Sequence, residues 1–178
     1  MTPKEVLAFA KEQGARMVDF KFLDFIGTWQ HFTTPIEELS ESDFESGYGF
    51  DGSSIRGWQP INASDMLIVP DADTAVMDPF MAVPTLTMIC NVVDPVTKER
   101  YTRDPRYIAQ KAEDYLKFTG IGDMAWFGPE AEFFIFDDVR FDVGMSAGYY
   151  YLDSKESAVN TGKEYPEGNL GHRPKVKG

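Results

Sequence analysis

The sequence predicts an α+β fold. Three observations carry that reading. Two helix starts are spelled out residue by residue, at Thr2 and at Asp104. Segments beginning near Val18, Met66 and Thr85 have the apolar alternation of strands. Residues 126–138, WFGPEAEFFIFDD, repeat that alternation while placing two carboxylates in an apolar stretch. A boundary is expected near Arg103, dividing the chain into residues 1–103 and 104–178.

Thr2-Pro3-Lys4-Glu5 reads as a capping box with proline at the first helical position. Val6, Leu7 and Ala10 form the apolar stripe of the helix that follows, and Gly14 stops it. Val18, Phe20 and Phe22 then alternate with Asp19 and Lys21, a strand with one face buried, and Gly27-Thr28 turns the chain into a second strand through Trp29 and Phe32. His31 lies on that strand with no acid at an obvious spacing and reads as a structural or surface histidine. Residues 36–44 are short and acidic, one or two helical turns after Pro35. Residues 46–79 form a long stretch of little periodicity, read as loop up to a strand over 66–69.

Within that stretch Phe50-Asp51-Gly52-Ser53-Ser54 combines a carboxylate, two hydroxyls and a glycine that lets backbone approach a ligand, with Phe50 and Trp58 as apolar walls. By residue type alone it reads as an ordinary turn rather than a pocket. Residues 85–93 read as a strand with Leu86, Met88, Cys90 and Val92 on one face. Asp104-Pro105-Arg106 opens a second helix with Ile108, Ala112, Tyr115 and Leu116 on one face and Gly120 at its end.

In a strand over 126–138, Glu130, Glu132, Phe134 and Phe136 share a face. Residues two apart on a strand lie about 7 Å apart, so the two carboxylates can converge on one cation or hold two neighbouring ones. Two other readings stay open: a general acid and base pair, or a strand mouth with both acids in water. Beyond residue 138 the sequence turns polar and rich in glycine, tyrosine and serine, without firm periodicity. A domain whose best strand lies near residue 130 is expected to continue past residue 178.

Composition narrows the function classes. With 43% hydrophobic and 14% aromatic residues the chain can build a real core, and its 178 residues suit one ordinary domain or a small one plus part of another. A net charge of −12 argues against a broad basic surface for nucleic acid. Anionic small molecules remain possible if divalent cations supply local positive charge. No apolar run approaches the roughly 20 residues that span a bilayer, and the charged start does not read as a signal peptide; a cytoplasmic protein without membrane partners is expected. Cys90 is the one cysteine and reads as a buried, inert thiol.

FDGSSIRGW, ASDMLIVPD, TRDPRYIAQKAEDYL, FGPEAEFFIFD and GNLGHRPKVKG occur in that order along the whole chain. In combination they resemble the amino-terminal part of the bacterial-type (type I) glutamine synthetases. The resemblance implies a β-grasp domain to about residue 103, followed by the beginning of the α+β catalytic domain with its carboxylate-lined sheet. It implies ATP-dependent ligation of ammonia to glutamate through γ-glutamyl phosphate, with magnesium or manganese as cofactor. Carried onto this sequence, Glu132 would ligate the cation on the glutamate side and Glu130 the one bridging the ATP phosphates. Asp51 would bind ammonium and take its proton, with Ser54 beside it. The implied partners are glutamate, ammonium, ATP and the neighbouring subunits of a homo-oligomeric ring, a dodecamer of two hexamers. Further metal ligands, the ATP-binding signature and the glutamate-binding arginines would lie beyond residue 178, so these residues alone are expected to be inactive. The competing readings are a carboxylate-pair hydrolase and a non-catalytic acidic interaction module; two acids side by side on one strand do not readily flank a scissile bond.

Overall fold

A computed structural model describes residues 1–154. The chain forms two compact units, the first Met1–Ala125 and the second beginning at Trp126. In the first, α1 (Pro3–Glu12), β1 (Met17–Leu23), β2 (Trp29–Pro35), α2 (Asp43–Ser46), β3 (Tyr48–Asp51), β4 (Asp65–Pro70), β5 (Val76–Met77), β6 (Thr85–Val93) and α3 (Pro105–Thr119) follow in order. The second contains β7 (Asp138–Val143) and β8 (Gly148–Asp153). The closing stretch GNLGHRPKVKG lies outside the described residues.

The sheet of the first unit runs β2-β1-β6-β4-β3, with β5 also paired to β6. β1 and β6 are parallel and the other pairs antiparallel. Register sets Val18 opposite Leu86, Phe20 opposite Met88 and Phe32, Ile68 opposite Val92, and Phe50 opposite Met66. One face of the sheet is therefore a continuous apolar layer, because every strand contributes alternate residues to it. α1 adds Val6 and Ala10 to this core. Its start is the expected capping box: Glu5 N donates to Thr2 Oγ1 at 3.3 Å, and Thr2 N to Glu5 Oε2 at 2.7 Å.

The opposite face carries a buried carboxyl group. Asp19 is wholly buried, yet its Oδ1 accepts from Thr33 Oγ1 at 2.7 Å and lies 2.8 Å from His31 Nδ1, while Lys21 Nζ lies 3.7 Å from Oδ2. His31, expected without an acid, thus has one. Asp19 faces Thr33 directly across the hairpin, which puts His31 diagonally beside it on the same face.

Three expectations about elements change. The stretch 46–79 contains two short strands that its glycines and prolines obscure, β3 and β5; Tyr48 and Phe50 of β3 pack against the core. The turns expected over 36–44 split into a single 3₁₀ turn, Ile36–Glu38, and α2. The third change falls on the carboxylate segment: residues 126–137 are not a strand, and the strand begins at Asp138. Alternation supplies one face of a strand, but a strand exists only through a neighbour's hydrogen bonds. Among the described residues no strand is hydrogen-bonded alongside residues 126–136. β7 instead pairs antiparallel with β8, Arg140 opposite Tyr151, with the guanidinium 5.9 Å from that ring's centroid.

Candidate functional site

Asp51 ends β3, and the chain then folds tightly over residues 52–59. Gly52 N donates to Ser64 O at 2.7 Å, and Gly52 O accepts from Ile55 N at 3.3 Å and Gln59 N at 3.4 Å, so the loop closes back on the residue next to Asp51. Gly52 is buried beneath Met66; a Cβ there would overlap Met66 Sδ and lie 2.9 Å from its Cγ. Ile55 and Trp58 anchor the loop in the core, with the Trp58 ring 5.6 Å from Phe22 and 5.1 Å from Tyr101.

The Asp51 carboxylate remains exposed above this base. Its Oδ1 accepts from Ser53 Oγ at 2.6 Å and Ser53 N at 2.8 Å, and its Oδ2 from Ser54 Oγ at 3.3 Å. The Ser53 hydroxyl first, then the Ser53 amide, hold the carboxyl below the ordinary aspartate range. A fixed, exposed and ionised carboxylate with hydroxyls beside it can hold a small cation. Asp51 and Ser54 are thus brought together, within a turn closed by the Ser53 amide on the Asp51 carboxylate.

Glu130 and Glu132 lie in the second unit, both exposed. Carboxylate oxygens are the right donors for magnesium or manganese. Their number falls short: among the described residues no three of His, Cys, Asp and Glu converge as a metal-binding group. The metal fits these residues in kind but not as a coordination set.

One contributor to the loop was invisible in the sequence. Arg103 Nη1 donates to Gly57 O at 2.8 Å and Trp58 O at 2.7 Å. Nothing in the linear pattern joins residues 45 and 46 positions apart; a basic residue just before an N-cap was the only trace.

A mixed sheet in the order β2-β1-β6-β4-β3, with the helix α1 packed on its apolar face and an exposed carboxylate at the end of its edge strand, defines an α+β protein of the β-grasp kind. Comparison with known families makes this specific. The glutamine synthetase β-grasp domain matches residues 14–95, and the glutamine synthetase catalytic domain matches residues 102–175. The chain belongs to the glutamine synthetase family and corresponds to its N-terminal portion. The glutamine synthetase of Methylococcus capsulatus is 56% identical over 178 residues, covering 100% of this chain and 38% of the relative. A protein of Cupriavidus pinatubonensis named 3-hydroxylaminophenol mutase is 50% identical over 174 residues, covering 98% of this chain and 37% of its own length. The chain therefore spans well under half of the relatives it matches. Among solved structures, the electron cryo-microscopy structure of Plasmodium falciparum glutamine synthetase aligns with a TM-score of 0.67 at 23% identity, over 88% of this chain and 30% of that one. At that identity it shows the fold. Among the described residues no helix is long and apolar enough to cross a membrane.

Proposed function

We propose that this chain supplies the ammonium-binding loop and two metal ligands of a glutamine synthetase, which joins ammonia to glutamate at the expense of ATP. The observation that carries this reading is the ionised Asp51, held by Ser53 and Ser54 in a β-grasp loop of a chain that matches both domains of the family. A carboxylate with depressed proton affinity is poorly suited to retain a proton at neutral pH. Asp51 is therefore assigned first to holding the ammonium cation, and proton removal follows as ammonia is consumed. Ser54 orients the carboxylate. Glu130 and Glu132 would give two of the oxygen donors that a divalent cation needs, with further ligands required to complete its set; such a cation would supply positive charge beside the phosphates. We place the domain boundary at 103/104, and the active site between adjacent subunits of a ring.

Because one relative is named as a mutase, the test reads ammonium-dependent ADP release by the whole enzyme. Asp51→Ala should raise the KM for ammonium and lower kcat. Glu132→Ala should abolish turnover and weaken Mn²⁺ binding by isothermal titration. Co-assembled Asp51→Ala and Glu132→Ala subunits should regain partial activity. Full ammonium affinity in Asp51→Ala sinks the loop assignment, and mixed rings as inactive as their parents sink the shared site.

A further inference from the structure

We propose that Arg103 is a positioning residue for Asp51, clamping the far end of the 52–59 loop to the segment that leads into α3. This deepens the reading of Asp51 as an ammonium site and rests on it. A single guanidinium nitrogen donates to two consecutive carbonyls, those of Gly57 and Trp58. Consecutive carbonyls of extended backbone point to opposite sides. Here they converge because the chain turns at Gly57, whose φ is +82°, a conformation glycine adopts freely.

The clamp reaches Asp51 through a short path. Trp58 is followed by Gln59, whose amide donates to Gly52 O, and Gly52 is bonded directly to Asp51. The other side of the clamp is rigid. Asp104, next to Arg103, is wholly buried, accepts from Arg106 N at 2.9 Å as the N-cap of α3, and accepts from Val92 N on β6 at 3.3 Å. Charge-assisted hydrogen bonds thus tie the loop to α3 and through it to the middle of the sheet. Trp58 fixes the loop's depth by packing, whereas Arg103 fixes the direction of its backbone.

Two measurements test this. In the whole enzyme, Arg103→Ala should raise the ammonium KM about ten-fold, as small misplacements of a binding group do, leaving the KM values of glutamate and ATP within about two-fold. In this chain, amide exchange over residues 52–59 should become about ten-fold faster, with β6 unchanged. Gly57→Ala, which keeps the arginine but strains the turn that brings the carbonyls together, should shift both readouts the same way, and it carries the test if Arg103→Ala does not fold. The proposal is overturned if kcat and the melting temperature fall while the ammonium KM holds, or if loop exchange is unchanged in every variant that folds. If Asp51→Ala leaves the ammonium KM unaltered while the loop still loosens in Arg103→Ala, the ammonium reading fails and the clamp stands as a structural one.

Discussion

Gly52→Ala places a methyl group where the Met66 side chain already sits. The new Cβ would overlap Sδ, lie 2.9 Å from Cγ and 3.1 Å from Ser64 O. Met66 is 3% exposed and packed into the core, so it cannot swing clear without disturbing its neighbours. Overpacking of this kind costs about 1–3 kcal/mol, and the expected destabilisation is about 2 kcal/mol. Met66→Ala alone leaves a cavity and costs about 2–5 kcal/mol. That truncation also removes Sδ and Cγ, the two worst conflicts, leaving only the milder approach to Ser64 O. Alanine at position 52 should therefore be nearly neutral in the Met66→Ala background, giving a coupling of about 1.5–2 kcal/mol for residues in contact. The assay is urea unfolding of the four proteins, compared at their midpoints with a common slope. Additivity within about 0.5 kcal/mol would refute the reasoning, because it would mean that Met66 does not define the space under the loop.

Three other outcomes are expected. Burial alone would raise the Asp24 carboxyl, but hydrogen bonds from Gln30 Nε2 and the amides of Thr28 and Ile26 more than offset it and hold the group below its ordinary value. A lowered folded-state value means that the stability it contributes is full above the ordinary carboxylate range and is lost as pH falls through the folded value; Asp24→Asn should be less stable than wild type at about pH 6, and the gap should close below about pH 4. A gap constant from neutral to strongly acid pH contradicts this. Cys90 is 1% exposed and burial pushes its thiol up, so a thiol reagent should label nothing in the native protein and the single thiol in urea. Asp104→Ala removes the α3 cap and strands buried partners, so a loss of about 2–4 kcal/mol is expected in chemical denaturation, with Asp104→Asn costing less.

What could be read from the sequence was local. The capping box at Thr2, proline at the first turn of α3 and the left-handed cap at Gly120, with φ of +69°, are decided within a few residues and appear where the pattern put them. β6 follows its alternation from Leu86 to Val92, with Thr85 and Val93 also buried at its two ends, because it lies inside the sheet with partners on both sides. Features that depend on a distant partner were not legible. Asp19 and His31 meet only through the register of a hairpin, Arg103 reaches a loop far upstream, and β3 is a four-residue strand between glycines. Residues 126–137 show the opposite case, an alternation without a neighbouring strand among the described residues. The DGSS pattern reads as a turn and forms one, closed by the Ser53 amide on Asp51; that both serine hydroxyls also bond the carboxylate was not legible in the sequence.

The position of β6 has a consequence for how the protein is made. It bonds to β1, β4 and β5, yet it is the last strand of this sheet to be synthesised. A ribosome that has reached residue 84 has synthesised partners for only two ladders, β1 with β2 and β3 with β4, each two strands wide and marginal in water. Their open edges and the apolar side chains of Phe20, Ile68 and Phe22 stay uncovered until Val93 emerges, on the order of several seconds after β2 is complete. Nascent chains of this length are the ones a holding chaperone should engage. A ribosome stalled before Val93 leaves most of the grasp domain's residues synthesised and the strand that joins its two halves missing.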